Sequence, residues 1–150
     1  MKINFRGTRI PIETDTFVWG EKIPYTDIVV KNDKNVNESF LKEQFLPHLQ
    51  RAINLLGIDN GMVTEIAKKG TENNDLQINK TVTIVVNFDT DNVYYDYYFD
   101  VGDLFGGFLV HLKSTLEGQL DYVGISWLKN IFWYNTYNND CGEYKWFICS

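Results

Sequence analysis

Residues 1–31 alternate apolar and polar positions around turn-formers: Ile10 and Ile12, Phe17 and Trp19, Ile23 and Tyr25, then the run Ile28, Val29 and Val30. A period of two belongs to a strand, whose successive side chains point to opposite faces. Breaks at Pro11, Gly20 and Pro24 divide the stretch into two or three short strands. Proline has no N–H to give a ladder, so these strands are expected at the margin of a sheet or at strand starts. After a polar loop over residues 31–37 the period changes. Leu41, Phe45, Leu49, Ala52, Ile53 and Leu56 recur at spacings of three and four, which gathers them on one face of a helix. Asn35, with Glu38 three positions on, supplies a capping start, and Gly57 supplies a stop. Pro47 falls inside the pattern and removes the bond its N–H would make to the Glu43 carbonyl, so a kink, or the start of a second helix, is expected there.

A turn at Asp59, Asn60 and Gly61 leads to a short helical segment over residues 62–69 that ends at Gly70, and residues 71–79 read as a polar surface loop. From Thr81 the period returns to two. Strands are predicted over 81–88, 93–99, 108–114 and 119–126, joined by short turns carrying aspartate or glycine. Successive short connections favour an antiparallel meander. From Trp127 onward the chain is aromatic and rich in asparagine, with a hairpin turn over 138–142 before a last strand over 144–148. No repeat, low-complexity tract or linker divides it. The expected architecture is a single α+β domain over 1–150: an antiparallel sheet, meandering in its second half, with a central kinked amphipathic helix packed on one face.

Composition narrows the class. Hydrophobic residues make up 44%, aromatic residues 15% and charged residues 23% of 150 residues, which excludes disorder, collagen and coiled coil. A domain of this length removes about 70% of its unfolded-chain surface from water, so it builds a core without metal or disulfide staples. Lysine plus arginine number 14 against 20 aspartates and glutamates, a formal charge of −6 that argues against nucleic acid as a partner. The N-terminal Met1-Lys2-Ile3-Asn4-Phe5-Arg6 has no apolar stretch behind its cation and no window approaches the ~20 apolar residues of a membrane span, so a soluble, cytoplasmic bacterial protein with no membrane contact is expected. Cys141 and Cys149 match no zinc or redox spacing; they read as two free thiols, or as a terminal-hairpin bridge in an oxidising compartment.

Candidate chemistry begins with Asp89, Asp91, Asp96, Asp100 and Asp103, since no lysine or arginine occurs between Lys80 and Lys113. Asp89 and Asp91 open like a calcium loop, but Val93 and Tyr94 take the positions of the next ligand and the glycine, so no metal is expected. Each aspartate also suits a turn, where it bonds its own backbone. Together, the five create a negative field that attracts a basic partner. Interleaved with them are Tyr94, Tyr95, Tyr97, Tyr98 and Phe99; on a strand Tyr94 and Tyr98 share one face, and Tyr95, Tyr97 and Phe99 the other. Tyrosine beside aspartate is the composition of a protein-binding surface. The expected partner-binding set is therefore Asp89, Asp91, Tyr95, Asp96, Tyr97, Asp100 and Asp103. A third set, Trp127, Phe132, Trp133, Tyr134, Tyr137 and Trp146, reads as a second small core or as a stacking surface for carbohydrate.

Catalytic motifs are missing. The two histidines, His48 and His111, have no ligand partner at i+4, Ser126 lacks the glycine of a nucleophile elbow, and neither a phosphate loop nor a dinucleotide fingerprint occurs. No cofactor is expected, and an enzyme would have to rely on carboxylates and tyrosines alone.

Phe99-Asp100-Val101-Gly102-Asp103-Leu104-Phe105-Gly106-Gly107-Phe108, followed by Leu116-Glu117-Gly118, resembles a bacterial domain-of-unknown-function family that carries Asp-Gly-Asp-Leu-Phe-Trp-Gly-His at this place. The likeness takes in Trp19-Gly20 and Leu55-Leu56, spanning about residues 15–126. Gly106 stands where the family has Trp and Phe108 where it has His, so the resemblance implies a shared fold and turn more than a shared activity. Physically the segment reads as a structural turn: Asp103 accepting backbone N–H groups, Leu104 and Phe105 plugging the core, and Gly102, Gly106 and Gly107 giving positive φ or a bulge. The leading expectation is a non-catalytic bacterial interaction module, in its most specific form an immunity-type protein whose acidic, tyrosine-bearing face covers a basic toxin. The rivals are a carbohydrate or small-ligand binding module using the C-terminal aromatics, and a carboxylate-based hydrolase.

Overall fold

The computed structural model of the chain describes residues 9–30, 36–89, 92–115 and 117–126. Asn35, Asp91, both cysteines, the aromatic set from Trp127 onward and the expected last hairpin lie outside them. Six strands form one sheet in the order β1 (Arg9–Val18), β2 (Glu21–Val30), β3 (Lys80–Phe88), β4 (Val93–Asp100), β5 (Leu109–Ser114) and β6 (Leu120–Ser126). Between β2 and β3 the chain is helical: α1 (Glu38–Phe40), a π-helical stretch (Leu41–Phe45), α2 (Leu46–Leu55) and α3 (Gly61–Thr71). The domain is α+β and mostly sheet. None of the described helices is long and apolar enough to cross a membrane.

The sheet is mixed, which corrects the expectation of a purely antiparallel one. β2 and β3 pair in parallel, Asp27 opposite Val85 and Val30 opposite Phe88, and every other neighbouring pair is antiparallel. The helices are the cause. A chain that leaves the end of β2 and runs back along the sheet as helix re-enters pointing the same way. The prolines sit where a ladder does not need them: β1 is the sheet edge, and Pro24 precedes the part of β2 that pairs with β3.

Asn37 caps α1, its Oδ1 accepting the Phe40 N–H at 2.9 Å. In the π-helical stretch the Leu46 N–H donates to the Leu41 carbonyl, five residues back. This wider turn lies immediately before Pro47, whose ring would crowd the Glu43 carbonyl in a regular helix.

Helices cover one face of the sheet. Beneath them lie Ile10, Ile28, Ile84, Val86, Tyr97, Phe99, Val110 and Leu112, against Phe45, Leu49, Ala52, Val63 and Ala67. The Tyr97 hydroxyl donates to the Ala52 carbonyl at 2.8 Å. α3 meets β6 at Gly70, where a Cβ would fall 2.2 Å from Cγ of Tyr122; only glycine fits. The β1–β2 turn places Trp19 at φ 52°, a strained value for a bulky residue. Its ring stacks on Phe99 at 5.9 Å and its Nε1–H reaches the Gly57 carbonyl at 3.3 Å, so tertiary contacts hold the turn.

Candidate functional site

Alternation along β4 sorts its side chains into two populations. Tyr95, Tyr97 and Phe99 point under the helices and are buried, Tyr97 completely. Tyr95 and Tyr97, expected in a partner-binding surface, are therefore corrected to core positions, because their strand parity places them on the apolar side. Tyr94, Asp96, Tyr98 and Asp100 point the other way, half-buried, onto a face on which no described helix packs. Across the ladders this row meets Asn87 and Val85 of β3, and Leu109, His111 and Lys113 of β5.

The middle of the face is a polar network. Asp96 accepts on both oxygens, Oδ1 lying 2.7 Å from His111 Nε2 and Oδ2 taking an N–H of Asn87 at 2.8 Å. Tyr98 stacks on the His111 ring, centroids 4.4 Å apart and planes 17° apart. Burial, and then the Asp96 charge beside it, push the Tyr98 phenol up to about 12. Toward the sheet edge, Arg9 donates to one carboxylate oxygen of Asp27 through Nε, at 2.8 Å, and through Nη2. Lys113 stands opposite Asp96 in register, with its Nζ 5.4 Å from the centre of the Tyr94 ring.

These contacts correct the picture of a bare acidic patch. No lysine or arginine lies between Lys80 and Lys113 in the chain, but pairing brings His111 onto Asp96, sets Lys113 opposite it with its Nζ over the Tyr94 ring, and brings Arg9 to Asp27 from the edge strand. Sequence reasoning passed over Arg9, Asp27 and Asn87. Their signal was strand parity, readable only once the register is known. The His111–Asp96 pair has the geometry by which a carboxylate orients an imidazole. No serine, threonine or cysteine side chain among the described residues is hydrogen-bonded to His111. Among the described residues no group of three or more histidine, cysteine or acidic side chains is arranged to hold a metal.

At the far end of the face the turn after β4 opens a cleft of about 690 Å³ lined by Lys22, Lys80, Asp100 and Asp103. Asp100 Oδ1 accepts the Gly102 N–H at 2.7 Å, so the capping aspartate of this turn is Asp100, where Asp103 was expected. Asp103 contributes its backbone carbonyl to the Gly106 N–H and leaves its side chain exposed. Gly102, Gly106 and Gly107 all take positive φ, as the turn reading requires. Phe105 packs on the core, while Leu104 is 39% exposed and does not plug it. Asp89 lies half-buried just past the end of β3, at the opposite end of β4 from Asp103. The described acids expected to act as one group are thus divided between the two ends and the middle of β4. No family model, curated protein sequence or solved structure matches this chain.

Proposed function

We propose that this chain is a non-catalytic protein-interaction module of bacterial type, and in its most specific form an immunity-type protein that covers a basic surface of a partner such as a toxin. The observation that carries the reading is the row Tyr94, Asp96, Tyr98 and Asp100 on the sheet face without a described helix, ending at the exposed side chain of Asp103. Tyrosines at such a surface give contact area with little loss of side-chain entropy. Asp96 is fixed by His111 and Asn87, so it is oriented before a partner arrives. The formal charge of −6 draws a basic partner from a distance, and the exposed Asp103 side chain offers a carboxylate at the end of the row.

Affinity capture from extract of the source cell tests this, with the intact chain and an Asp100→Lys/Asp103→Lys variant as baits at low and high salt. A basic protein retained by the wild type, and lost both in the variant and at high salt, supports the reading. Recovery of no partner, or of one indifferent to charge reversal, overturns it. Circular dichroism of the variant checks that the turn still folds.

A further inference from the structure

On the helix side of the sheet, away from that row, a cleft of about 500 Å³ opens between α2, the start of β4 and the β5–β6 turn. Its polar walls are His48, Arg51 and Asn54 from α2, Asn92 and Tyr95 from the β4 side, and Thr115. In a chain with formal charge −6, the described lining holds an arginine and a histidine and no carboxylate. Arg51 is exposed and forms no ion pair with a described acid.

The donors of this cleft are organised. The Tyr95 hydroxyl lies 2.8 Å from His48 Nδ1, and the Arg51 charge acts on the same phenol. A neutral imidazole whose Nδ1 accepts the phenol proton keeps its other nitrogen as a donor. The imidazole then carries its hydrogen on Nε2, a donor that no described residue uses. Burial, and secondarily the Arg51 charge, hold the His48 pKa below its ordinary value, in keeping with a neutral ring. Leu55 and Val93 supply an apolar wall beside these donors.

We propose that this cleft binds the oxyanion head of a small molecule, a carboxylate or a phosphate group, between the guanidinium of Arg51 and the Nε2–H of His48. The parallel N–H groups of arginine match two oxygens of one anion, and a neutral N–H donor adds a third bond without a second charge to desolvate. The site belongs to the helix side, so it stands or falls independently of the interaction surface proposed above.

The chain has two histidines, which makes their ring signals direct reporters in a proton–carbon NMR spectrum, with His48→Gln assigning the pair. Inorganic phosphate and butyrate are titrated separately. The expected result is a saturable shift of the His48 ring with one of them, an unmoved His111 ring, and affinity weakened about tenfold or more in Arg51→Gln. Arg51→Lys, which keeps the charge and loses the fork, should fall between the two. Saturation by phosphate alone assigns a phosphate head, and by butyrate alone a carboxylate with a short apolar body. Saturation by neither, or an Arg51→Gln protein that binds as tightly as the wild type, overturns the proposal.

Discussion

The hydroxyl of Tyr97, at the centre of the sheet, satisfies a helix carbonyl that its own helix leaves open. In a regular helix the Leu56 N–H would bond the Ala52 carbonyl, but the chain tightens at the end of α2 and Leu56 N–H turns to Ile53 at 3.0 Å. The Ala52 oxygen is buried and takes the Tyr97 proton at 2.8 Å instead. Burial is also the main reason the Tyr97 phenol is held far above its ordinary pKa. Tyr97→Phe keeps the ring and leaves that carbonyl without a donor, which should cost about 1–2 kcal/mol. Urea denaturation should show a lower midpoint with an unchanged slope. An unchanged midpoint would mean the tether adds nothing.

Gly70 and Tyr122 form a lock by contact. Adding a methyl group at Gly70 places it 2.2 Å from Cγ and 2.6 Å from Cβ of Tyr122, atoms too close to the backbone to swing away. Gly70→Ala should therefore destabilise by about 2 kcal/mol through overpacking, although alanine is the better helix former by about 1 kcal/mol. In a Tyr122→Gly background, which removes the Cβ as well as the ring, the same change should become neutral or stabilising. A double-mutant cycle with no coupling energy would refute the contact.

The Arg9–Asp27 pair is deep enough that breaking it and replacing it differ in effect, with side chains 18% and 7% exposed. Arg9→Met leaves the Asp27 carboxylate shielded from water without its cation, and should cost about 3 kcal/mol. Arg9→Met with Asp27→Leu should recover most of that loss. If the double variant is no more stable than Arg9→Met, the pair is more than a cancelled desolvation cost.

Alkali should unfold the protein through its tyrosines. Tyr98 is held up to about 12 by burial and by Asp96, while a phenol in the unfolded chain loses its proton near pH ~10. Above pH ~10 the unfolded state binds fewer protons than the native one, so stability is complete below that pH and falls as pH rises toward about 12. Thermal melts across this window should show a steep decline, and Tyr98→Phe should make it shallower while the buried Tyr97 keeps part of it. A variant as alkali-sensitive as the wild type would remove Tyr98 from the cause.

Periodicity made the elements legible. The two faces of β4, with Tyr94 and Tyr98 apart from Tyr95, Tyr97 and Phe99, followed from parity alone, as did the apolar helix stripe of Phe45, Leu49 and Ala52. Partners across the sheet were not legible. Nothing in the local pattern around Asp27 says that its neighbour is Val85 in a parallel ladder, or that Arg9 reaches it from the edge strand. The same blindness made the run from Asp89 to Asp103 look like one charged surface, when the strand β4 carries its members to separate places. His48 and Arg51 lie three residues apart on α2, and the cleft appears only when Tyr95 and Thr115 are brought against them.

The parallel junction of β2 with β3 sets the order in which the molecule can assemble. Every antiparallel neighbour in this sheet follows closely in the chain, so the hairpin of β1 and β2 and the group β3 to β6 each close over short loops. Joining them requires the whole helical crossover to be traversed first, and the entropy of closing that span is met in one step. Docking of Asp27–Val30 against Val85–Phe88 is thus expected to limit the rate, and substitutions at this seam should slow folding where substitutions in the outer hairpins should hasten unfolding.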